Sequence, residues 1–188
     1  MPRVLRMTVE EYLRYDAADP WKNEYDDGVV TAVPSAGERH NLILAGLLGA
    51  LRHLPDRCRA YASRLKVRME NPTRIFFPEA TVVCGRSKVA GEGDDTMLLN
   101  PTAVFELRGN RLAYYSAIES LQEYAVVSVG EYRIEHFRRD RDEWIRFVAS
   151  GAEATLRLPI IGCDLPLREI YYQVLESPRQ PTHNGGPP

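Results

Sequence analysis

Apolar and polar residues alternate along this chain in short runs, and their periods predict a mixed α/β protein. Leu44, Leu47, Leu48 and Leu51 recur at the spacing of one helix face, predicting an amphipathic helix over about 40–53 that packs on a sheet. Thr8-Val9-Glu10-Glu11 is a capping box, so a short helix should run over about 9–15. Asp26-Asp27-Gly28 sits between two short extended runs and predicts a hairpin turn, with strands near 23–25 and 29–33. Further strands are expected near 59–62, 65–69, 75–83, 103–108, 124–129, 132–138, 143–148 and 155–158. Helices near 112–123 and 167–176 complete the pattern, and the polar, glycine-bearing stretch 85–96 reads as a surface loop.

Two of these strands break the apolar pattern in the same way. Ile75-Phe76-Phe77-Pro78-Glu79-Ala80-Thr81-Val82-Val83-Cys84 and Pro101-Thr102-Ala103-Val104-Phe105-Glu106-Leu107-Arg108 each set a carboxylate inside a β-branched and aromatic run. Desolvating a lone carboxylate costs several kcal/mol unless a cation or hydrogen-bond donors compensate. Two acid-bearing strands can bring both acids to one divalent cation, the minimal arrangement of a metal-dependent nuclease. Side chains at i and i+2 share a face, so Glu106 and Arg108 point the same way, and an acid followed by an acid-x-base pair is the spacing of PD-(D/E)XK nucleases. A structural ion pair between Glu106 and Arg108, with Glu79 at a strand end, is the plainer reading of the same residues.

The ordered series is more specific than any single motif. Met7-Thr8-Val9-Glu10-Glu11-Tyr12-Leu13, Glu24-Tyr25-Asp26-Asp27-Gly28-Val29, His40, Phe77-Pro78-Glu79, Leu99-Asn100-Pro101-Thr102, Phe105-Glu106-Leu107, Ser120-Leu121-Gln122-Glu123-Tyr124 and Leu165-Pro166-Leu167-Arg168-Glu169-Ile170-Tyr171 succeed one another. The set resembles the restriction-endonuclease family often called Uma-two, a branch of the PD-(D/E)XK superfamily, over roughly residues 7–175. The resemblance implies a restriction-endonuclease-like α/β core with a central mixed sheet flanked by helices. It also implies Mg²⁺- or Mn²⁺-dependent hydrolysis of DNA, a hydrolase activity held by Glu79 and Glu106 as metal ligands. Glu24, matched to an acid before the hairpin, joins them in the expected cleft, with Arg108 and Arg111 at the basic positions.

Three departures from the family pattern bear on activity. Glu79 stands where an aspartate follows proline, lengthening the ligand arm by roughly one C–C bond, ~1.5 Å, and Mg²⁺ tolerates little error in octahedral geometry. Val29 replaces the acid after the hairpin glycine. The polar loop between the strand glutamate and the next helix is missing, and arginines occupy both places where the lysine is expected. Arginine clamps phosphate but stays protonated, so it cannot act as a base. The active-site motif therefore reads as degenerate. An arginine paired with Glu106 would also compete with metal for that carboxylate. Three readings are open: a working nuclease, a non-catalytic nuclease-fold protein that binds DNA or a protein partner, and a fold without selected activity.

Composition narrows the remaining classes. The 188 residues, 44% hydrophobic and 27% charged, suit one domain over 1–176, with a Pro/Gly/Asn-rich tail at 177–188 expected to be flexible. No apolar run approaches a membrane span and no signal-peptide pattern opens the chain, so a cytoplasmic location without membrane contact is expected. A net charge of −2 argues against indiscriminate nucleic-acid binding. Local clusters at Arg57, Arg59, Arg64, Lys66 and Arg68, and at Arg138, Arg139 and Arg141, could form a phosphate-facing stripe or merely a solvated edge. The scattered cysteines (Cys58, Cys84 and Cys163) predict neither a zinc site nor a disulfide framework. His40, His53, His136 and His183 read as caps, surface residues or satisfied core histidines rather than ligands. Apolar positions at Tyr132, Ile134, Trp144 and Phe147 exceed what a small sheet covers, and with the resemblance they suggest a homodimer.

Overall fold

In a computed structural model, residues 5–107 and 109–175 are described. The strands are β1 (Leu5–Arg6), β2 (Asn23–Asp26), β3 (Val29–Ala32), β4 (Cys58–Ala62), β5 (Lys66–Met69), β6 (Arg74–Phe76), β7 (Ala80–Cys84), β8 (Val89–Ala90), β9 (Met97–Leu98), β10 (Ala103–Glu106), β11 (Glu123–Val127), β12 (Arg133–Asp140), β13 (Glu143–Ser150), β14 (Thr155–Leu158) and β15 (Cys163–Pro166). The α-helices are α1 (Val9–Ala18), α2 (Glu38–Ala50), α3 (Leu112–Tyr115) and α4 (Leu167–Ile170). A first sheet runs in the order β1-β3-β2-β6-β5-β9-β8 and a second in the order β13-β12-β11-β10-β7-β4, with β14–β15 as a separate hairpin. Both sheets are mixed, since β5 lies parallel to β9 and β10 parallel to β11. The expected α/β class holds.

Local chemistry explains the first elements. The Thr8 hydroxyl accepts from the Glu11 N–H while the Glu11 carboxylate accepts from the Thr8 N–H, so both halves of the capping box form. The Asp27-Gly28 turn needs positive φ at both residues (44° and 91°), which glycine supplies without steric cost. In α2 the buried side chains are His40, Ile43, Leu47 and Ala50, so the face that packs is rotated from the expected leucine stripe. Ile43 and Leu47 join Val82, Phe105, Val127 and Ile134 in one core, on one face of the second sheet. Val83, Val104 and Tyr124 on its other face pack with Val67, Met69 and Phe76 of the first sheet. Tyr12 of α1 closes a third cluster with Tyr25, Val30 and Ile75.

Several expectations need correction. The run 75–83 is not one strand: Phe77-Pro78-Glu79 carries the chain from β6 in the first sheet to β7 in the second. Proline offers no N–H for a ladder, which favours such a break. The helix expected over 112–123 is a single turn, and β11 begins at Glu123. The Arg139 guanidinium holds the non-helical segment after α3, donating to the carbonyls of Leu121, Ser116 and Ile118, which a helix would have bonded internally. The last helix spans Leu167–Ile170 rather than ten residues. Cys58 and Cys84 form a disulfide, against expectation, because the antiparallel register of β4 and β7 sets them directly opposite. Their sequence separation carries no hint of that pairing. Cys163 is free and buried. Among the described residues no helix is long and apolar enough to cross a membrane. The tail at 177–188 lies outside the described residues.

Close packing of α2 on α4 depends on Gly46, where a Cβ would sit 2.2 Å from the Ile170 carbonyl oxygen. Gly46→Ala must push two backbones apart, an overpacking cost of about 2 kcal/mol. Calorimetry should show the melting temperature lowered by roughly 4–8 °C. An unchanged melting temperature would mean that the helices separate freely.

Candidate active site

The break between β6 and β7 places the first acid. The Glu79 N–H donates to the Phe105 carbonyl at 3.1 Å. Phe105 pairs with Ala80, so carrying the register one residue further sets Glu106 across from Glu79. Glu106 ends β10 with only 3% of its surface exposed. Burial pushes its carboxyl up to about 8. The Arg111 charge and the Tyr115 hydroxyl, which donates to Oε1 at 3.1 Å, work against that rise, while Glu24 and Glu79 add to it. Glu79 is thus close enough to oppose the ionisation of Glu106.

Glu24 enters from the first sheet. Its Oε1 accepts from the Phe77 N–H at 3.1 Å and from Arg111 Nη1 at 2.8 Å, and its Oε2 accepts from Arg111 Nη2 at 2.9 Å. This is a fork-on-fork pair, the geometry that only a guanidinium provides. The ring of Phe76 lies 4.8 Å beneath the guanidinium, and the Arg111 N–H donates to the Tyr124 hydroxyl at 2.8 Å. Partial burial disfavours the Arg111 charge, but Glu24 and Glu106 outweigh it and raise its pKa, so it stays cationic. A cavity of about 220 Å³ opens here, lined by Glu24, Asp26, Val29, Phe76, Arg111 and Tyr114. Val29, where the family pattern has an acid, presents only an apolar wall.

His40, by sequence an ordinary core or surface histidine, is mostly buried, and its Nε2 sits 2.8 Å from Glu79 Oε1. No metal-like spacing marks it, because its partner lies 39 positions away; its place in the ordered motif series is the one signal. Tyr115 escapes sequence reading as well, since nothing in Leu112-Ala113-Tyr114-Tyr115 shows which tyrosine turns inward. The structure brings Glu24, Glu79, Glu106 and Arg111 near one another. The arginine, however, pairs with Glu24 rather than Glu106. Arg108 lies outside the described residues.

The donor set does not fit a divalent ion as it stands. Both Glu24 oxygens are occupied by Arg111, Glu79 faces His40, and Glu106 favours its proton near neutrality. Among the described residues, no group of three His, Cys, Asp or Glu side chains is arranged to hold a metal. Within the two basic clusters, Lys66 is buried against Asp16, Arg68 pairs with Glu70, Arg138 lies over Phe147 and Arg139 caps carbonyls, so these four are engaged within the fold.

Comparison with known proteins agrees with this architecture. Residues 9–168 match the family model Uma2, described as "Putative restriction endonuclease". Two proteins of Synechocystis sp. (strain ATCC 27184 / PCC 6803 / Kazusa), both called uncharacterized, are similar. The protein sll1609 is 22% identical over 162 residues, 80% of this chain and 91% of its own. The protein slr1290 is 25% identical over 175 residues, 88% of this chain and 92% of its own. A crystal structure from Anabaena variabilis ATCC 29413, described as a "putative nuclease belonging to DUF820", superposes with a TM-score of 0.67 at 16% identity. The match covers 88% of this chain and 98% of that one, and shows a shared fold.

Proposed function

Because the chain belongs to the Uma2 family of restriction-endonuclease-like proteins, we propose that it is a nuclease-fold protein whose Mg²⁺-dependent phosphodiester hydrolysis is weak or absent. The observation that supports this is the double hydrogen bond from Arg111 to Glu24 beside buried Glu106. A nuclease of this type needs carboxylates free to hold the ion and a group able to orient or deprotonate water. Here an internal cation takes the charge of one carboxylate, and that cation cannot deprotonate water. Glu24, Glu79, Glu106 and Arg111 are assigned to the cleft, with Glu79 and Glu106 as the residues that would ligate Mg²⁺ or Mn²⁺ in an active relative. The same pair favours a second reading, a non-catalytic protein that binds DNA or a protein partner. Plasmid nicking with Mg²⁺ and Mn²⁺, beside Glu106→Gln, tests the proposal, and weak cutting that Glu106→Gln abolishes would separate the first reading from the second. Robust cutting that vanishes in Glu106→Gln would overturn the proposal.

We also propose a homodimer through the outer edge of β13. Ile134 is fully buried and Trp144 packs partly into the core, so neither drives association. Ile145, Phe147 and Val148 are 38%, 40% and 43% exposed on an eight-residue strand that ends its sheet. An exposed apolar edge of this length invites pairing with its own copy. Sedimentation at micromolar concentration should give twice the 21.4 kDa chain mass; a monomer would remove the proposal.

A further inference from the structure

Beside the cleft lies a groove of about 610 Å³, with Trp21 at its mouth and Phe77 in its wall. Trp21 is 71% exposed, yet its backbone is pinned: its N–H donates to Asp19 Oδ1 at 3.0 Å, and its carbonyl accepts from Asn23 Nδ2 at 3.1 Å. The largest aromatic side chain is thus presented to solvent from a fixed loop, where ordinary folding would bury it. The groove adjoins the cleft through Phe77, which lines it and bonds to Glu24. The Phe77 N–H donates to Glu24, and buried Tyr12 has its hydroxyl pKa raised by burial and by the charges of Asp16, Glu24 and Asp95, which belong to both places.

Its charges are balanced rather than basic. Lys22, Arg64 and Lys66 face Asp16, Asp19 and Asp95. Lys66 Nζ lies 2.5 Å from Asp16 and 3.8 Å from Asp95, and Lys22 Nζ donates to the Ser63 carbonyl at 2.6 Å. A track for phosphates needs net positive charge, and three carboxylates would repel them. A nucleobase suits this lining better, being uncharged, flat and edged with both donors and acceptors. Carboxylates accept from exocyclic amines, ammonium and guanidinium groups donate to ring carbonyls, and the indole offers a stacking face. We propose that this groove receives an unpaired nucleobase stacked on Trp21, so that the nucleic acid led to the cleft is single-stranded or frayed rather than closed duplex. The inference rests on the nuclease-derived reading of the cleft. A base inside an intact duplex is paired and stacked, and cannot reach such a groove without being extruded.

The test uses the full chain in metal-free buffer, so that nothing is cut. Trp144→Phe leaves Trp21 as the only tryptophan of two, and its emission reports the groove directly. The probes are a 12-nucleotide single strand, the same strand with abasic sites, and a blunt duplex. The normal single strand should quench Trp21 emission and bind about tenfold tighter than the abasic strand. Trp21→Ala should erase that margin, Trp21→Tyr should keep most of it, and both variants should match wild-type circular dichroism. Equal affinity for normal and abasic strands, an unaffected Trp21→Ala, tighter binding of blunt duplex, or no binding of any strand would each overturn the inference. The cleft reading is judged separately, by nicking against Glu106→Gln, so either idea can fail alone.

Discussion

Arg111→Ala should strengthen divalent-metal binding in the cleft, with Mn²⁺ bound at least about tenfold tighter than by the wild-type protein in calorimetry. Arg111 holds both oxygens of Glu24, and its charge also acts on Glu106. Removing it leaves Glu24, Glu79 and Glu106 to repel one another, and a divalent ion is the natural relief. Arg111→Lys is the sharper variant for chemistry. A lysine restores the residue type of the family pattern and cannot grip both oxygens of Glu24 as a guanidinium does. Losing an acid–base or water-orienting group costs ~10²–10⁴ in rate, and the lysine should recover part of it. Nicking in Mn²⁺ should therefore rise about tenfold or more over wild type. The missing loop and the longer arm of Glu79 would keep the rate below that of an intact enzyme. If neither variant gains metal or activity, Arg111 is not what holds the site closed.

Glu106→Gln should stabilise the metal-free protein, and the gain should grow with pH. The native carboxyl is pushed up to about 8 by burial, against 4.5 for an ordinary glutamate. Below pH 4.5 both the native and unfolded chains carry the proton, so the group has no effect on stability. Between 4.5 and 8 the unfolded chain ionises while the native chain keeps its proton, and wild-type stability falls as pH rises. Above 8 both are ionised and the loss levels off. Glutamine cannot ionise and still offers an oxygen to the Tyr115 hydroxyl, so the variant escapes this loss. Urea unfolding should show at least about 2 kcal/mol in favour of Glu106→Gln at pH 8, and almost none at pH 4.5. Equal stability at pH 8, or a less stable variant, would mean that Glu106 is ionised and well compensated in the native state. A gain would mark an acid retained at a cost to stability, the usual signature of a residue kept for chemistry.

Elements with a local cause were legible in the chain itself. The capping box set the start of α1, Asp27-Gly28 set the β2–β3 turn, and Thr155–Leu158 formed over the expected span. The acids Glu79 and Glu106, each set in an apolar run of sequence, also stood out, because a carboxylate among apolar residues has to be explained wherever it occurs. What depended on long-range register was not legible. Phe77-Pro78-Glu79 looks like the middle of one strand until two sheets claim its ends. Cys58 and Cys84 became partners only when β4 and β7 paired. Residues 116–122, helical by pattern, do not continue the helix, and Arg139 from a distant strand bonds the Ser116, Ile118 and Leu121 carbonyls instead. Side-chain partners were hidden for the same reason: His40 meets Glu79, and Arg111 meets Glu24 across 87 positions. Sequence patterns record which groups must be buried or paired, since that cost is local to each residue. Which partner each one finds is set by the packing of sheets and helices, and here that packing placed a guanidinium on Glu24.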